Sequence, residues 1–108
     1  MEHGAASGTP EGRAPAASAA LNLGLNLDRA GKIEEANAAW RTAMEHGVAG
    51  GTPGGREAAA SAAFNLGLSL DQGGQVEEAN VAWRTAIEQG TASGTPEGRV
   101  TAAKAAFI

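Results

Sequence analysis

The chain has 108 residues and a formal net charge of -4, with 16 glycines, no cysteine and only four aromatic side chains, Trp40, Trp83, Phe64 and Phe107. The acidic balance and the scattered Lys and Arg give no attraction for nucleic acid or anionic lipid, and the lack of Cys excludes disulfides and thiolate zinc sites. There is no apolar run near membrane-spanning length and no charged-then-apolar amino terminus, so a cytoplasmic protein is expected.

The first predicted element is a helix. Its segment Leu21-Asn22-Leu23-Gly24-Leu25-Asn26-Leu27 alternates like a half-buried strand, but the preceding Ala16-Ala17-Ser18-Ala19-Ala20 is rich in the best helix former and has no β-branched residue. On a helix, Ala16, Ala20, Leu23, Gly24 and Leu27 share one face, while Leu21 and Leu25 form a second apolar stripe. Pro15 removes a hydrogen bond, so the helix is expected to be firm only from about Ala14, and Gly31 ends it in the left-handed conformation. A second helix is predicted from about Lys32 to His46. Glu34 and Glu35 suit the positive end of its dipole, its buried stripe is Ile33, Ala36, Trp40 and Ala43, and Gly47 closes it. Gly47 to Thr52 reads as a loop. Thr52-Pro53 is then a cap followed by proline at the first helical position, with Gly54 and Gly55 delaying ordered helix to near Arg56.

The remaining elements repeat the first two. Thr9-Pro10-Glu11-Gly12-Arg13 returns as Thr52-Pro53-Gly54-Gly55-Arg56 and as Thr95-Pro96-Glu97-Gly98-Arg99, a shift of 43 each time. Residues 1–43 and 44–86 are identical at 31 of 43 positions. Such self-similarity marks stacked supersecondary units. The expected fold class is all-α, an α-solenoid of antiparallel helix pairs with two full repeats plus one extra helix. It forms a single domain over 1–108, with units at about 10–47, 53–90 and a partial 96–108. Gly24 and Gly67 are expected to be small because a neighbouring helix crosses there. The extra helix, from about Pro96, should cover Val81, Trp83 and Ile87.

Leu23-Gly24, Leu27, Gly31, Ala36, Trp40 and Ala43, repeated as Leu66-Gly67, Leu70, Gly74, Ala79, Trp83 and Ala86, resemble the packing residues of the tetratricopeptide (TPR) repeat at that family's relative spacing. The chain departs from the pattern where the family places large aromatics, at Ala20, Ala63, Leu27 and Leu70, and its period exceeds the family's common length of about 34. The Sel1-like repeat is the runner-up, and the turn Asp-x-x-Gly-x-x-Glu-Glu-Ala favours the TPR reading.

The resemblance implies a scaffold for protein–protein interaction, whose first helices line a groove for a peptide or partner helix. Here that face carries Ser18, Leu21, Asn22, Leu25 and Arg29, matched by Ser61, Phe64, Asn65, Leu68 and Gln72. The groove is apolar, with only Arg29 and Lys104 near it to clamp a carboxylate. Asn22 and Asn65 each offer donors and an acceptor, and several TPR subfamilies use an Asn at this position to bond the backbone of a bound strand; the alternative is an Asn bonded to the next repeat or solvated. Trp40 and Trp83 read as core. His3 and His46 read as solvated groups at helix ends without metal-binding spacing. The Gly-rich stretch 47–56 lacks the Gly-Lys-Ser/Thr of a phosphate loop, and Ser18 and Ser61 have no histidine partner. No enzyme activity, cofactor or metal is expected.

Near-identical repeats favour an alternative function, a structural unit that self-assembles as a homo-oligomer or by domain swapping. The apolar patch at Phe107 and Ile108 is the expected contact. Burying about 400 Å² there at roughly 25 cal/mol per Å² gives about 10 kcal/mol gross, much of it lost to the cost of association. The abrupt ends point to an excerpt of a longer array or an engineered one.

Overall fold

The computed structural model describes residues 10–108, which form five helices and no strand. They are α1 (Pro10–Arg29), α2 (Ile33–Gly50), α3 (Pro53–Gln72), α4 (Val76–Ser93) and α5 (Pro96–Ala106). Each pair of successive helices is in contact, and α3 also touches α1 and α5, so α3 is the hub. The thinnest dimension of the molecule is 19 Å, which holds two helix layers at the usual spacing of about 8–10 Å between axes and leaves no depth for a third.

Glycine fixes the turns by two different means. After α1 and α3, Gly31 (φ 81°) and Gly74 (φ 85°) adopt the left-handed conformation. The amide of Lys32 donates to the Leu27 carbonyl at 2.9 Å, and Gln75 to Leu70 at 2.8 Å, in the same turn one repeat later. This is a Schellman closure, and it needs a residue without Cβ. After α2 the left-handed residue is Gly51 (φ 69°), whose amide reaches the Gly47 carbonyl at 3.3 Å.

The second helix therefore runs one turn past its expected end, and Gly47 does not close it. Gly47 is buried inside α2, where a Cβ would collide with the Gly55 carbonyl and sit 2.7 Å from the Ala59 Cβ. Gly90 does the same against Gly98 and Ala102. The segment read as a loop from Gly47 shrinks to Gly51 and Thr52. Helix α3 likewise starts at Pro53 and not near Arg56. The Thr52 Oγ1 accepts from the Gly55 amide at 3.0 Å, and contact of Gly55 with Gly47 outweighs its poor helix propensity. Helix α1 starts at Pro10 and passes through Pro15, whose ring is exposed, so the expected delay to Ala14 does not occur.

The core is made mostly of alanine. Ala36, Ala43, Ala59, Ala60, Ala62, Ala63, Ala79 and Ala86 have no exposed surface, and Trp40 and Trp83 fill the space between the backbones. Each indole presses against a glycine of the preceding helix: a Cβ at Gly24 would meet the Trp40 ring, with Cδ1 at 2.5 Å, and one at Gly67 would meet Trp83. The predicted glycine crossings are thus contacts with tryptophan. Of the predicted stripe of α2, Ala36, Trp40 and Ala43 are buried, but Ile33 is 43% exposed, because it begins α2 where α1 has already ended. Leu23, assigned to the buried face of α1, is 53% exposed, whereas its repeat equivalent Leu66 is 3% exposed. Helix α2 packs on α3, and among the described residues nothing takes that place beside α1. Helix α5 packs on α4 as expected, leaving Trp83 buried and Ile87 half-buried, but Val81 stays 59% exposed.

Candidate interaction surfaces

The residues expected to line a groove fall on two helices that touch, α1 and α3. Ser18, Asn22 and Arg29 of α1 are exposed, and Leu21 and Leu25 half-buried. On α3, Leu68 and Gln72 are exposed, and Ser61, Phe64 and Asn65 half-buried. Leu21, Leu25 and Phe64 lean on the core while keeping part of their surface free. Arg29 is held loosely, its Nη1 donating to Asn26 Oδ1 at 3.5 Å. Among the described residues neither the Asn22 nor the Asn65 side chain has a hydrogen-bond partner. The face is a mixed surface of aliphatic, aromatic and amide groups, with Lys104 exposed on α5 beyond it.

The tryptophans belong to the core, at 2% exposure for Trp40 and 7% for Trp83. Their Nε1 atoms are buried without an acceptor because each ring presses on a glycine. His46 departs from expectation. It sits within α2, is half-buried and has an Nδ1 without a partner, because α2 continues past it to Gly50; it is not a solvated helix-end group. His3 lies outside the described residues. The Gly-rich stretch 47–56 is chiefly helix, with Arg56 Nε donating to the Gly51 carbonyl at 3.3 Å. Among the described residues no three His, Asp or Glu cluster as for a metal, and no helix is long and apolar enough to cross a membrane.

A surface missed in the sequence lies between α2 and α4. There a cavity of about 370 Å³ is lined by Arg41, Met44 and Glu45 from α2, Leu66 and Leu70 from α3, and Glu78, Val81 and Ala82 from α4. It shares Arg41, Leu70 and Glu78 with a neighbouring hollow that adds Glu34, Asn37 and Gln75. Asn37 Oδ1 is buried without a donor, and Gln75 Nε2 donates to Glu78 Oε1 at 2.6 Å. The visible signal in sequence was the pair Met44 and Val81, apolar residues on second helices but off the tryptophan stripe. Phe107 and Ile108, the expected self-association patch, are 91% and 57% exposed. No family model, curated protein or solved structure matches the chain.

Proposed function

We propose that the chain is a partner-binding helical-repeat scaffold of the tetratricopeptide kind, an α-solenoid of antiparallel helix pairs that works in the cytoplasm and catalyses nothing. The peptide or partner helix lies across α1 and α3. One observation carries the reading: two touching helices present the same series of residues, Ser18, Leu21, Asn22 and Leu25 beside Ser61, Phe64, Asn65 and Leu68, with both amides unpartnered and the aliphatic groups part-exposed. Amides spaced by one repeat can bond successive backbone groups of an extended strand, while the aliphatic and Phe64 surfaces take its side chains. Selection of binders from a random peptide library, followed by mapping of amide chemical shifts, tests the site. The reading requires shifts concentrated on α1 and α3, and shifts confined to α2 and α4 would refute it.

A second reading, self-assembly into a homo-oligomer, is favoured by the exposure of Phe107 and Ile108 next to Val100, which is 54% exposed. Exposed large apolar groups on and just after one short helix are of the kind that can mark an interaction surface.

A further inference from the structure

We propose that the trough between α2 and α4 docks a basic amphipathic segment of a partner protein, with a large apolar side chain in the cavity of about 370 Å³ and a neighbouring Lys or Arg in the hollow beside it. This surface is separate from the α1–α3 face, since from α3 it uses Leu66 and Leu70, where that face uses Phe64, Asn65 and Leu68. The inference goes beyond the reading above and does not rest on it.

The shape calls for a stretch of chain. Helices α2 and α4 both pack on α3, and no comparable packing joins them to each other, so a channel is left with Leu66 and Leu70 as its floor. Along α2 the lining residues Glu34, Asn37, Arg41, Met44 and Glu45 recur at helical spacing. At about 1.5 Å per residue that stripe runs about 16 Å, which is the length of a docked helical or extended segment and more than one small molecule spans.

The two hollows divide the chemistry. Met44, Val81 and Ala82 wall the first, so it takes an apolar side chain, and Val81 is 59% exposed until something covers it. The second is bounded by Glu34, Glu78 and Asn37, whose buried Oδ1 lacks a donor. An ammonium or guanidinium supplies the donors that such acceptors require. Glu45 adds a third carboxylate to the rim against the single guanidinium of Arg41, and none of these four groups makes an ion pair among the described residues. The trough therefore favours a cationic occupant, while Arg41 can donate to its main-chain carbonyls.

The second unit departs from the first at this place. Gln75 stands where the first unit has Lys32, and Val81 where it has Ala38. A lysine at 75 would bring its own ammonium to the hollow, and an alanine at 81 would remove most of an apolar wall. Instead Gln75 Nε2 donates to Glu78 Oε1 at 2.6 Å and leaves that carboxylate its charge. Both differences suit an occupant that is apolar at one point and cationic at the next.

Calorimetric titration and amide-shift mapping of the full chain test this, with an end-capped Ala/Gln helical peptide bearing one Phe and a Lys one turn to either side of it as the probe. The peptide should bind, with shifts on α2 and α4, and its Phe→Ala and Lys→Glu forms should bind at least about tenfold more weakly. Gln75→Lys/Val81→Ala restores the first unit's residues, which the same turn and helix already carry there, so it should keep its helicity by circular dichroism and lose at least about tenfold in affinity. Glu78→Lys should lose the Lys peptide and gain the Glu form. Absence of binding, equal affinity for the Lys and Glu peptides, or full affinity in Gln75→Lys/Val81→Ala would overturn the proposal. Shifts on α1 and α3 would overturn it too, while supporting the peptide face proposed above, so the two readings fail separately. Binding of 2-phenylethylammonium as tightly as the peptide would make the trough a small-ligand site and overturn docking of a segment. Sedimentation in which the wild type associates with itself and Gln75→Lys/Val81→Ala does not would make a second copy the occupant and overturn it likewise.

Discussion

Gly67→Ala adds one methyl where the backbone of α3 meets Trp83. The new carbon would lie 2.5 Å from Cδ1 and 2.7 Å from Cε2 of the indole, against an ordinary carbon separation of about 3.5–4.0 Å. The ring must retreat by about 1 Å, and it has little room, because Trp83 is 7% exposed among fully buried alanines. Overpacking of this kind costs about 1–3 kcal/mol, while replacing a mid-helix glycine by alanine returns about 1 kcal/mol of helix propensity. The expected net loss is about 1 kcal/mol, and for Gly67→Leu it is nearer 2–3 kcal/mol because no space exists for the extra atoms. Gly54→Ala is the matched control: nothing lies within 4 Å of a Cβ there, so only the propensity gain remains, up to about 1 kcal/mol. Urea unfolding followed by tryptophan fluorescence should separate the two alanine variants by about 2 kcal/mol, or about 1 M in midpoint at an ordinary slope of about 2 kcal/mol per M. A Gly67→Ala midpoint at or above that of the wild type would show that the indole does not press on this glycine.

The repeat-equivalent leucines should respond unequally: Leu66→Ala, at a site with 3% exposure, should cost about 2–5 kcal/mol, and Leu23→Ala, at 53%, well under that, as read from denaturation midpoints. Thr52→Ala should lose about 1 kcal/mol by orphaning the Gly55 amide, and Thr95→Ala should do the same at Gly98, with fraying of α3 and α5 visible in amide hydrogen exchange. Gly74→Ala, at φ 85°, should cost about 1 kcal/mol through backbone strain alone, since nothing lies near its Cβ; an unchanged thermal midpoint would contradict the assigned turn.

The helical content, the close approach at Gly24 and Gly67 and the core position of the tryptophans were legible because each rests on a pattern that recurs after 43 residues; that each glycine meets a tryptophan was not. The Thr52 cap was legible because Thr-Pro states its role locally. Gly47 was not. A glycine after a helical run can end the helix or admit another backbone, and only the presence of Gly55 against it decides between them. Leu23 and Leu66 show a second limit: both lie in the sequence Asn-Leu-Gly-Leu, yet one is exposed and the other buried, because burial is set by whether a second helix lies alongside. The candidate face on α1 and α3 was what the resemblance to tetratricopeptide repeats implied, and the period supplied its equivalent residues in the two helices. The groove could not, because Met44, Leu66 and Val81 come from three helices and obey no single repeat position.

The central claim is that the face shared by α1 and α3 holds a partner through its two free amides. Its most direct test is the affinity of a library-selected peptide for the wild type and for Asn22→Ala/Asn65→Ala, measured by calorimetric titration. Asn22 is exposed, Asn65 half-buried and neither side chain has a hydrogen-bond partner among the described residues, so the double variant should keep its helicity and unfolding midpoint nearly unchanged. Loss of two hydrogen bonds at about 1 kcal/mol each should weaken binding by about thirtyfold. Equal affinity for the two proteins, with helicity intact, would contradict the claim that these amides grip the partner.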